Sequence, residues 1–118
     1  MTLVDSSVWI DHFRRGNAPL RDLLRNGAVL THPFVIGELA CGSIARRRDT
    51  LELLGRLPSA PVAEHHEVVA MVDARRLHGR GIGWIGAHLL ASAILSKVPL
   101  YTLDARLAAV AARVYHSR

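Results

Sequence analysis

Three acidic residues from distant parts of the chain lie at positions typical of a catalytic or metal-binding site. Asp5 directly follows the apolar segment 2–4, Asp104 directly follows the apolar segment 98–103, and Glu38 interrupts a third apolar segment. Ligands of open α/β sheets bind beyond the carboxyl ends of the strands, which is where the two aspartates fall. A carboxylate drawn into apolar surface must find a partner, take up a proton or bind a cation. Together the three acids predict an oxygen-rich site for Mg²⁺ or Mn²⁺, ions that activate water and neutralise charge on a phosphodiester.

Each of the three acids also has a purely structural interpretation. Asp5 and Asp104 each precede a predicted helix and could cap it, because a short carboxylate satisfies the free amides of a first turn. Glu38 could form an ion pair with an arginine. The placement of two acids at strand ends, with a third in an apolar segment, favours the functional interpretation of the set.

The hydrophobic pattern predicts the elements that must bring these residues together. Strands are predicted at 2–4, 28–31 and 98–103, with Val62 in a further strand. Helices are predicted from Ser6 or Ser7 onward and over 18–25, 33–44, 49–57, 64–78, 84–96 and 105–115, the helix 84–96 being apolar enough for burial on most sides. Alternating strands and helices predict an α/β fold, a small parallel sheet flanked by helices on both faces. The absence of a linker or repeat predicts one domain over 1–118.

Composition excludes several classes of protein. With 50% hydrophobic and 21% charged residues the chain is globular rather than disordered. One cysteine, Cys41, excludes an internal disulfide framework and predicts a reducing, cytoplasmic location. No apolar run approaches the roughly 18 residues of a membrane span, and no signal peptide is visible. The net charge of +5 permits a nucleic-acid partner. Almost all of the basic residues are arginine, which suits phosphate contacts, although a GC-rich genome would also favour arginine.

Four segments resemble the motifs of one family. Residues 4–11, Val-Asp-Ser-Ser-Val-Trp-Ile-Asp, closely resemble the start of PIN-domain toxins of the VapC type. Glu38-Leu39 is similar to the second acidic position of that family, and 101–107, Tyr-Thr-Leu-Asp-Ala-Arg-Leu, to its final acidic motif. The segment 83–93 is similar to the third motif. The resemblance covers essentially the whole chain and implies a PIN-like α/β/α sandwich.

The resemblance implies a function and roles for individual residues. Proteins of this kind are Mg²⁺- or Mn²⁺-dependent RNA endonucleases, the toxin half of a toxin–antitoxin pair, often dimeric and silenced by a cognate antitoxin. By position, Asp5, Glu38 and Asp104 would be the catalytic and metal-binding acids. Ser6 and Thr102 would support them through hydrogen bonds. The implied reaction is in-line attack of water on an RNA phosphodiester.

Gly86 is the main departure from the family pattern. The family usually has an acid there, in Trp-Ile-Asp-Ala-His-Leu, and no Asp or Glu lies between Asp73 and Asp104 to replace it. His88 is a poor substitute, because two residues turn a helix by about 200°. We therefore expect weak metal binding and strongly reduced cleavage. Whether Gly86 is an engineered, selected or natural change is open, and a non-catalytic module that binds antitoxin or RNA is the alternative function.

Other sequence patterns are weaker indications of a binding site. The segment 81–86 spells G-x-G-x-x-G, but it follows a predicted basic helix rather than the strand that a dinucleotide fingerprint needs. Seven histidines and one cysteine lack the spacing of a zinc site. Trp9 and Phe13 share a helix face that could be core or a partner patch, since a partner helix in a groove needs such anchors. Arginine clusters such as 46–48 could be solvated corners or contacts to RNA phosphates.

Overall fold

The computed structural model describes residues 1–116 of the chain. At its centre is a three-stranded parallel sheet in the order β2-β1-β3, made of β1 (Thr2–Val4), β2 (Val29–Leu30) and β3 (Leu100–Tyr101). Leu3 aligns with Leu30 on one side and with Leu100 on the other. Leu3 and its neighbour Val4 are both fully buried, on opposite faces of the strand. This continuous burial requires helices on both faces of the sheet, as in other parallel sheets.

Seven helices in the described part of the chain surround the sheet. They are α1 (Ser6–Arg15), α2 (Ala18–Arg25), α3 (Pro33–Ala40), α4 (Arg47–Gly55), α5 (His65–Ala74), α6 (Trp84–Ser96) and α7 (Ala105–His116). Within residues 1–116, no helix has both the length and the hydropathy that a membrane crossing requires. The predicted α/β class, with its parallel sheet between helices, is confirmed.

Helix α6 forms the centre of the core beside the sheet. Its residues 87–93 are buried without interruption, so the prediction of a helix buried on most sides is confirmed. Leu89 and Ala93 pack into the same cluster as Leu3 and Val4 of β1. Because β1 carries Asp5 at its end and α6 carries Gly86 in its first turn, this packing also fixes the position of Asp5 relative to Gly86.

Helix α3 is attached to α6 by a buried histidine. His32 accepts a hydrogen bond at Nδ1 from the amide of Phe34, at 3.0 Å, and so caps the start of α3. Its Nε2 lies 3.1 Å from the Ser92 hydroxyl on α6. Burial, together with the nearby His88, lowers the pKa of His32 from 6.5 to about 4, so the ring is neutral at neutral pH. The cap positions the helix that carries Glu38.

Several predicted boundaries are corrected by local backbone geometry. The prediction of a strand at Val62 is wrong: this residue is exposed in a loop, and the only strand-like pairing nearby is an isolated bridge between Thr31 and Ser59 in the described chain. The helix predicted over 64–78 ends at Ala74, because Arg76 adopts a left-handed φ of 54° that no helix continues through. Strand β3 is shorter than predicted, so position 102 is free to turn its side chain to the site.

Candidate active site

Asp5 lies at the carboxyl end of β1 and also caps α1. Its buried carboxylate accepts hydrogen bonds from the Ser6 amide at 2.8 Å, the Ser7 hydroxyl at 2.8 Å and the Thr102 hydroxyl at 2.7 Å. The structural and functional interpretations of Asp5 are therefore compatible, since one carboxylate can cap the helix and still face the cavity. Three strong donors hold it in a single orientation.

Ser7, which the sequence suggested only as a possible start of the first helix, also lines the candidate site. Its hydroxyl donates to Asp5, accepts from the Leu103 amide at 3.0 Å and lies 3.3 Å from the Thr102 hydroxyl. It therefore joins the end of β1 to the end of β3. The only sequence signal for this role is a second hydroxyl residue directly after a strand-end aspartate.

Glu38 is linked to Asp5 through the hydroxyl of Ser6. Ser6 Oγ donates to Glu38 Oε1 at 3.1 Å and lies 3.4 Å from Asp5 Oδ1. Partial burial of the carboxyl raises the pKa of Glu38 above its ordinary value; the Ser6 hydrogen bond lowers it, and the negative charge of Asp5 raises it. Glu38 as a residue is exposed on α3, so the expectation that it is drawn into apolar surface is corrected.

Asp104 stands at the start of α7. Its Oδ1 caps the first turn by accepting from the amides of Arg106 at 2.9 Å and Leu107 at 3.1 Å. Its own amide donates to the Thr102 hydroxyl at 3.1 Å. Thr102 thus contacts both aspartates, as donor to the Asp5 carboxylate and as acceptor from the Asp104 backbone. Asp104 itself is exposed.

All three acids line one open cavity of about 560 Å³. Ser6, Ser7 and Gly86 line it with them, and the remaining wall is apolar, formed by Ile10, Ile82, Trp84, Ile85 and Leu107. Among residues 1–116, no three His, Cys, Asp or Glu side chains make a group that could hold a metal ion. The acids therefore share a cavity, with Asp5 and Glu38 as the directly bridged pair.

Gly86 lies on the wall of this cavity, in the first turn of α6. The nearest atoms to a Cβ atom built there would be the two methyl carbons of Leu107, at 3.4 and 3.5 Å. A short side chain at position 86 is therefore compatible with the packing. His88 does not replace it, because its ring is buried between Phe34 and Trp84, with centroids 4.7 Å away in each case.

The donor set of the cavity suits a hard divalent cation. Carboxylate and hydroxyl oxygens are the ligands that Mg²⁺ and Mn²⁺ prefer, and Mg²⁺ often needs only one or two carboxylates with waters. Asp5 and Glu38 provide two such carboxylates around a shared hydroxyl. Burial is the main reason why the pKa of Glu38 is raised, and the negative charge of Asp5 raises it further; a bound cation would favour the charged form against both effects.

A second cavity adjoins the first. It has a volume of about 300 Å³ and includes Ile10, Phe13, Leu39 and Ile44, and it shares Glu38 with the acidic cavity. The structure separates the pair of aromatic residues on α1: Trp9 belongs to the core at 4% exposure, whereas Phe13 is 39% exposed. Of these two aromatic residues, therefore, only Phe13 is available to a partner.

The chain is similar to known proteins over most of its length. The model of the PIN domain family matches residues 2–113, a range that includes all three acids and Gly86. The chain is 48% identical over 113 residues to Ribonuclease VapC32 of Mycobacterium tuberculosis, in both strain H37Rv and strain CDC 1551. Each alignment covers 95% of this chain and 91% of the relative.

Proposed function

The chain belongs to the PIN-domain family, and from that premise we propose that it is a ribonuclease toxin of the VapC type. The observation that carries the proposal is the single cavity lined by Asp5, Glu38 and Asp104, which come from three separate elements. Its reaction is hydrolysis of an RNA phosphodiester. The test is incubation of the purified chain with a structured RNA and Mg²⁺ or Mn²⁺, with EDTA as control; cleavage that EDTA does not abolish contradicts the proposed chemistry.

Mg²⁺ or Mn²⁺ is the proposed cofactor, held by Asp5 and Glu38 with Asp104 facing the same cavity. Such an ion supplies activation of water and neutralisation of the charge that develops on the phosphodiester. The protein's part is orientation. The hydroxyls of Ser7 and Thr102 hold Asp5, and the Asp104 amide holds Thr102 in turn.

Ser6 has a distinct role in this proposal, because its hydroxyl lies between the two carboxylates. It donates to Glu38 and so stabilises the charged form of that residue against burial and against the Asp5 charge. Replacement of Ser6 by alanine would remove this hydrogen bond and favour protonation of Glu38. A protonated Glu38 would bind a cation more weakly. Conservative Ser6→Thr keeps the hydroxyl and serves as the matched control.

Gly86 limits the activity in this proposal. No carboxylate enters the cavity from α6, so the site holds fewer oxygen ligands than the family pattern implies. We expect cation binding and cleavage to be weak but measurable, because the other acids remain. The alternative function, a non-catalytic module that binds antitoxin or RNA, is favoured by the same glycine and by the lack of a three-residue metal group among residues 1–116.

The proposed protein partners are a cognate antitoxin and a second copy of the chain. The cavity beside Glu38, with exposed Phe13 and Ile10, offers apolar anchors for an antitoxin segment that would also cover the acids. An apolar groove between α5 and α6, lined by Met71 and Leu95 among others, is the surface offered for dimerisation. A cytoplasmic location is proposed because Cys41 is an exposed free thiol, which suits a reducing compartment.

A further inference from the structure

We propose that His32 is an acid-sensitive anchor, which holds α3 and its Glu38 against α6 at neutral pH and releases the helix in acid. The inference rests on the proposed function only where it counts Glu38 as part of the site. His32 lies between β2 and α3, is fully buried, and makes one hydrogen bond to each of the two helices. These two bonds are the anchor.

The two hydrogen bonds of His32 fix the protonation state of its ring. Nδ1 accepts from the Phe34 amide at 3.0 Å, so this nitrogen carries no proton. The neutral ring therefore has its proton on Nε2, which donates to the Ser92 hydroxyl at 3.1 Å. A second proton would enter the ring at Nδ1 and face the Phe34 amide, donor against donor. The anchor is complete only while His32 is neutral.

The surroundings of His32 oppose a positive charge on its ring. From α3, the Phe34 ring lies 5.1 Å from His32 and 4.7 Å from His88 of α6. Trp84 stands between His88 and His65 of α5, at ring distances of 4.7 and 4.9 Å. Burial and the nearby His88 lower the pKa of His32, and burial and His65 lower that of His88. Within residues 1–116 no carboxylate forms an ion pair with these three histidines, so a protonated His32 would leave its pocket for water.

Helix α3 is short, so its order depends on its attachments to the rest of the fold. It has eight residues with Gly37 in its interior, and an isolated helix of that length is marginal in water. His32 supplies its side-chain cap as well as the bond to α6. Glu38 lies in the last turn of α3. Loss of the anchor therefore frees Glu38 to move away from the Ser6 hydroxyl that links it to Asp5.

Acid favours release because the free ring binds a proton more tightly than the buried ring. The pKa of His32 is about 4 in the anchored state and 6.5 for a free histidine. Between these two values the released state holds more protons, so release becomes more favourable as the pH falls. From pH 7 to pH 5 the equilibrium constant for release rises about 20-fold.

The first test observes the ring itself, in the full chain without metal or RNA. Long-range proton–nitrogen NMR spectra of the imidazoles show which nitrogen carries the proton at each pH. We expect the proton of neutral His32 on Nε2 and a titration midpoint near pH 4. A proton on Nδ1, or a midpoint near 6.5, would overturn the proposal.

The second test measures release by amide hydrogen exchange, corrected for the intrinsic effect of pH on exchange rates. From pH 7 to pH 5 the protection of the Ile36 and Glu38 amides should fall about 20-fold, and that of the Val110 amide in α7 by much less. His32→Asn keeps a side chain that caps helices and removes the titration, so its α3 protection should change little. Equal losses in α3 and α7, or the same pH dependence in the variant, would refute a local release by His32.

Ser92→Ala tests the anchor without replacing the buried histidine. It removes the hydrogen-bond acceptor on α6 and should lower the protection of α3 about fivefold at pH 7, the effect of one hydrogen bond. The matched control is Ser96→Ala, because the Ser96 hydroxyl donates to the Ser92 carbonyl within α6 and should have no effect on α3. Thermal melts establish that each variant is folded. Equal effects of the two substitutions would show that the bond to Ser92 does not hold α3.

The effect on the site is measured as the rate of RNA cleavage in Mn²⁺ between pH 7 and pH 5. The ratio of the parent rate to the His32→Asn rate should fall with pH, because only the parent releases Glu38 in acid. Protonation of the carboxylates themselves is common to both chains. A constant ratio would refute the positioning role of His32. If neither chain cleaves RNA, the proposed function fails, and the exchange measurements decide the anchor independently.

Discussion

The substitution Gly86→Asp tests the proposed site most directly. Position 86 is the third residue of α6, where a carboxylate is favoured by the free amides of the first turn and by the helix dipole. The nearest neighbours of the new Cβ would be the Leu107 methyl carbons, at 3.4 and 3.5 Å. The carboxylate would then add to the cavity that Asp5, Glu38 and Asp104 already line.

The Gly86→Asp substitution should change stability little without a divalent cation and much more when Mg²⁺ is bound. Helix propensity and the dipole favour aspartate over glycine by about 0.5–1 kcal/mol. Repulsion from Asp5 and Glu38 offsets much of this, so stability without a divalent cation should change by less than about 1 kcal/mol. With Mg²⁺ at about 100 times its dissociation constant, the stabilisation is about 2.7 kcal/mol. For a chain of this size that raises the melting temperature by roughly 10 °C.

The catalytic effect should be larger than the effect on folding. Adding one preorganised group that stabilises charge in a transition state changes rates by on the order of 10²-fold. We therefore expect Gly86→Asp to cleave RNA about 10² times faster than the parent in Mg²⁺. The assay is initial-rate cleavage of one labelled RNA, with differential scanning fluorimetry in EDTA and in Mg²⁺.

The matched control is Gly86→Asn, which has the same size and no charge. It should melt like the aspartate variant in EDTA, gain no more stability from Mg²⁺ than the parent does, and cleave like the parent. If the aspartate variant is folded yet no more active than the asparagine variant, the assignment of position 86 to the metal site is refuted.

Four further outcomes follow from the contacts of individual residues. Thr102→Val removes the hydroxyl bonded to Asp5 and should lower the free energy of unfolding by about 1–2 kcal/mol in urea denaturation; an unchanged midpoint contradicts the role of that bond. Glu38→Gln should raise the melting temperature in EDTA, since it removes a partly buried charge beside Asp5, and should abolish any response to Mg²⁺. His32 is neutral in the fold with a pKa of about 4 but titrates near 6.5 when unfolded, so the unfolded state binds more protons in that interval. Stability should therefore fall by up to about 3 kcal/mol from pH 6.5 to 4, and an equally steep fall in His32→Phe would argue against the histidine as its source. Leu89→Ala, at a fully buried position of α6, should cost about 2–5 kcal/mol, and a loss below 1 kcal/mol would show that α6 is not packed as described.

The three candidate acids could be proposed from the local sequence, because each carries a local signal. Asp5 and Asp104 follow short apolar segments, and a parallel sheet brings the ends of such segments to one edge. Glu38 is conspicuous as a charge in an apolar helix. Its surroundings were harder to predict, because exposure depends on which face of α3 turns toward the cavity.

The long-range contacts of Ser7 and Arg106 could not be predicted from local sequence patterns. The contact between Ser7 and Thr102 joins residues 95 positions apart, so nothing near Ser7 in the sequence indicates it. The position of Arg106 depends on Gly81, whose missing side chain leaves space for the guanidinium. Both contacts arise from the way α7 and the loop before α6 pack around the end of the sheet.

The sequence alone was enough to predict the class of the fold, the two strand-end acids, the buried helix α6 and the departure of Gly86 from the family pattern. These features depend on the order of apolar and polar residues along short segments, which can be read without knowing the fold. The fold was needed to show that Trp9 is core while Phe13 and Trp84 are exposed. It was also needed to show that Ser6 bridges two carboxylates and that Ser7 joins Asp5 to Thr102. Burial and long-range hydrogen bonds depend on which surfaces meet, and that is settled by the packing of the whole chain.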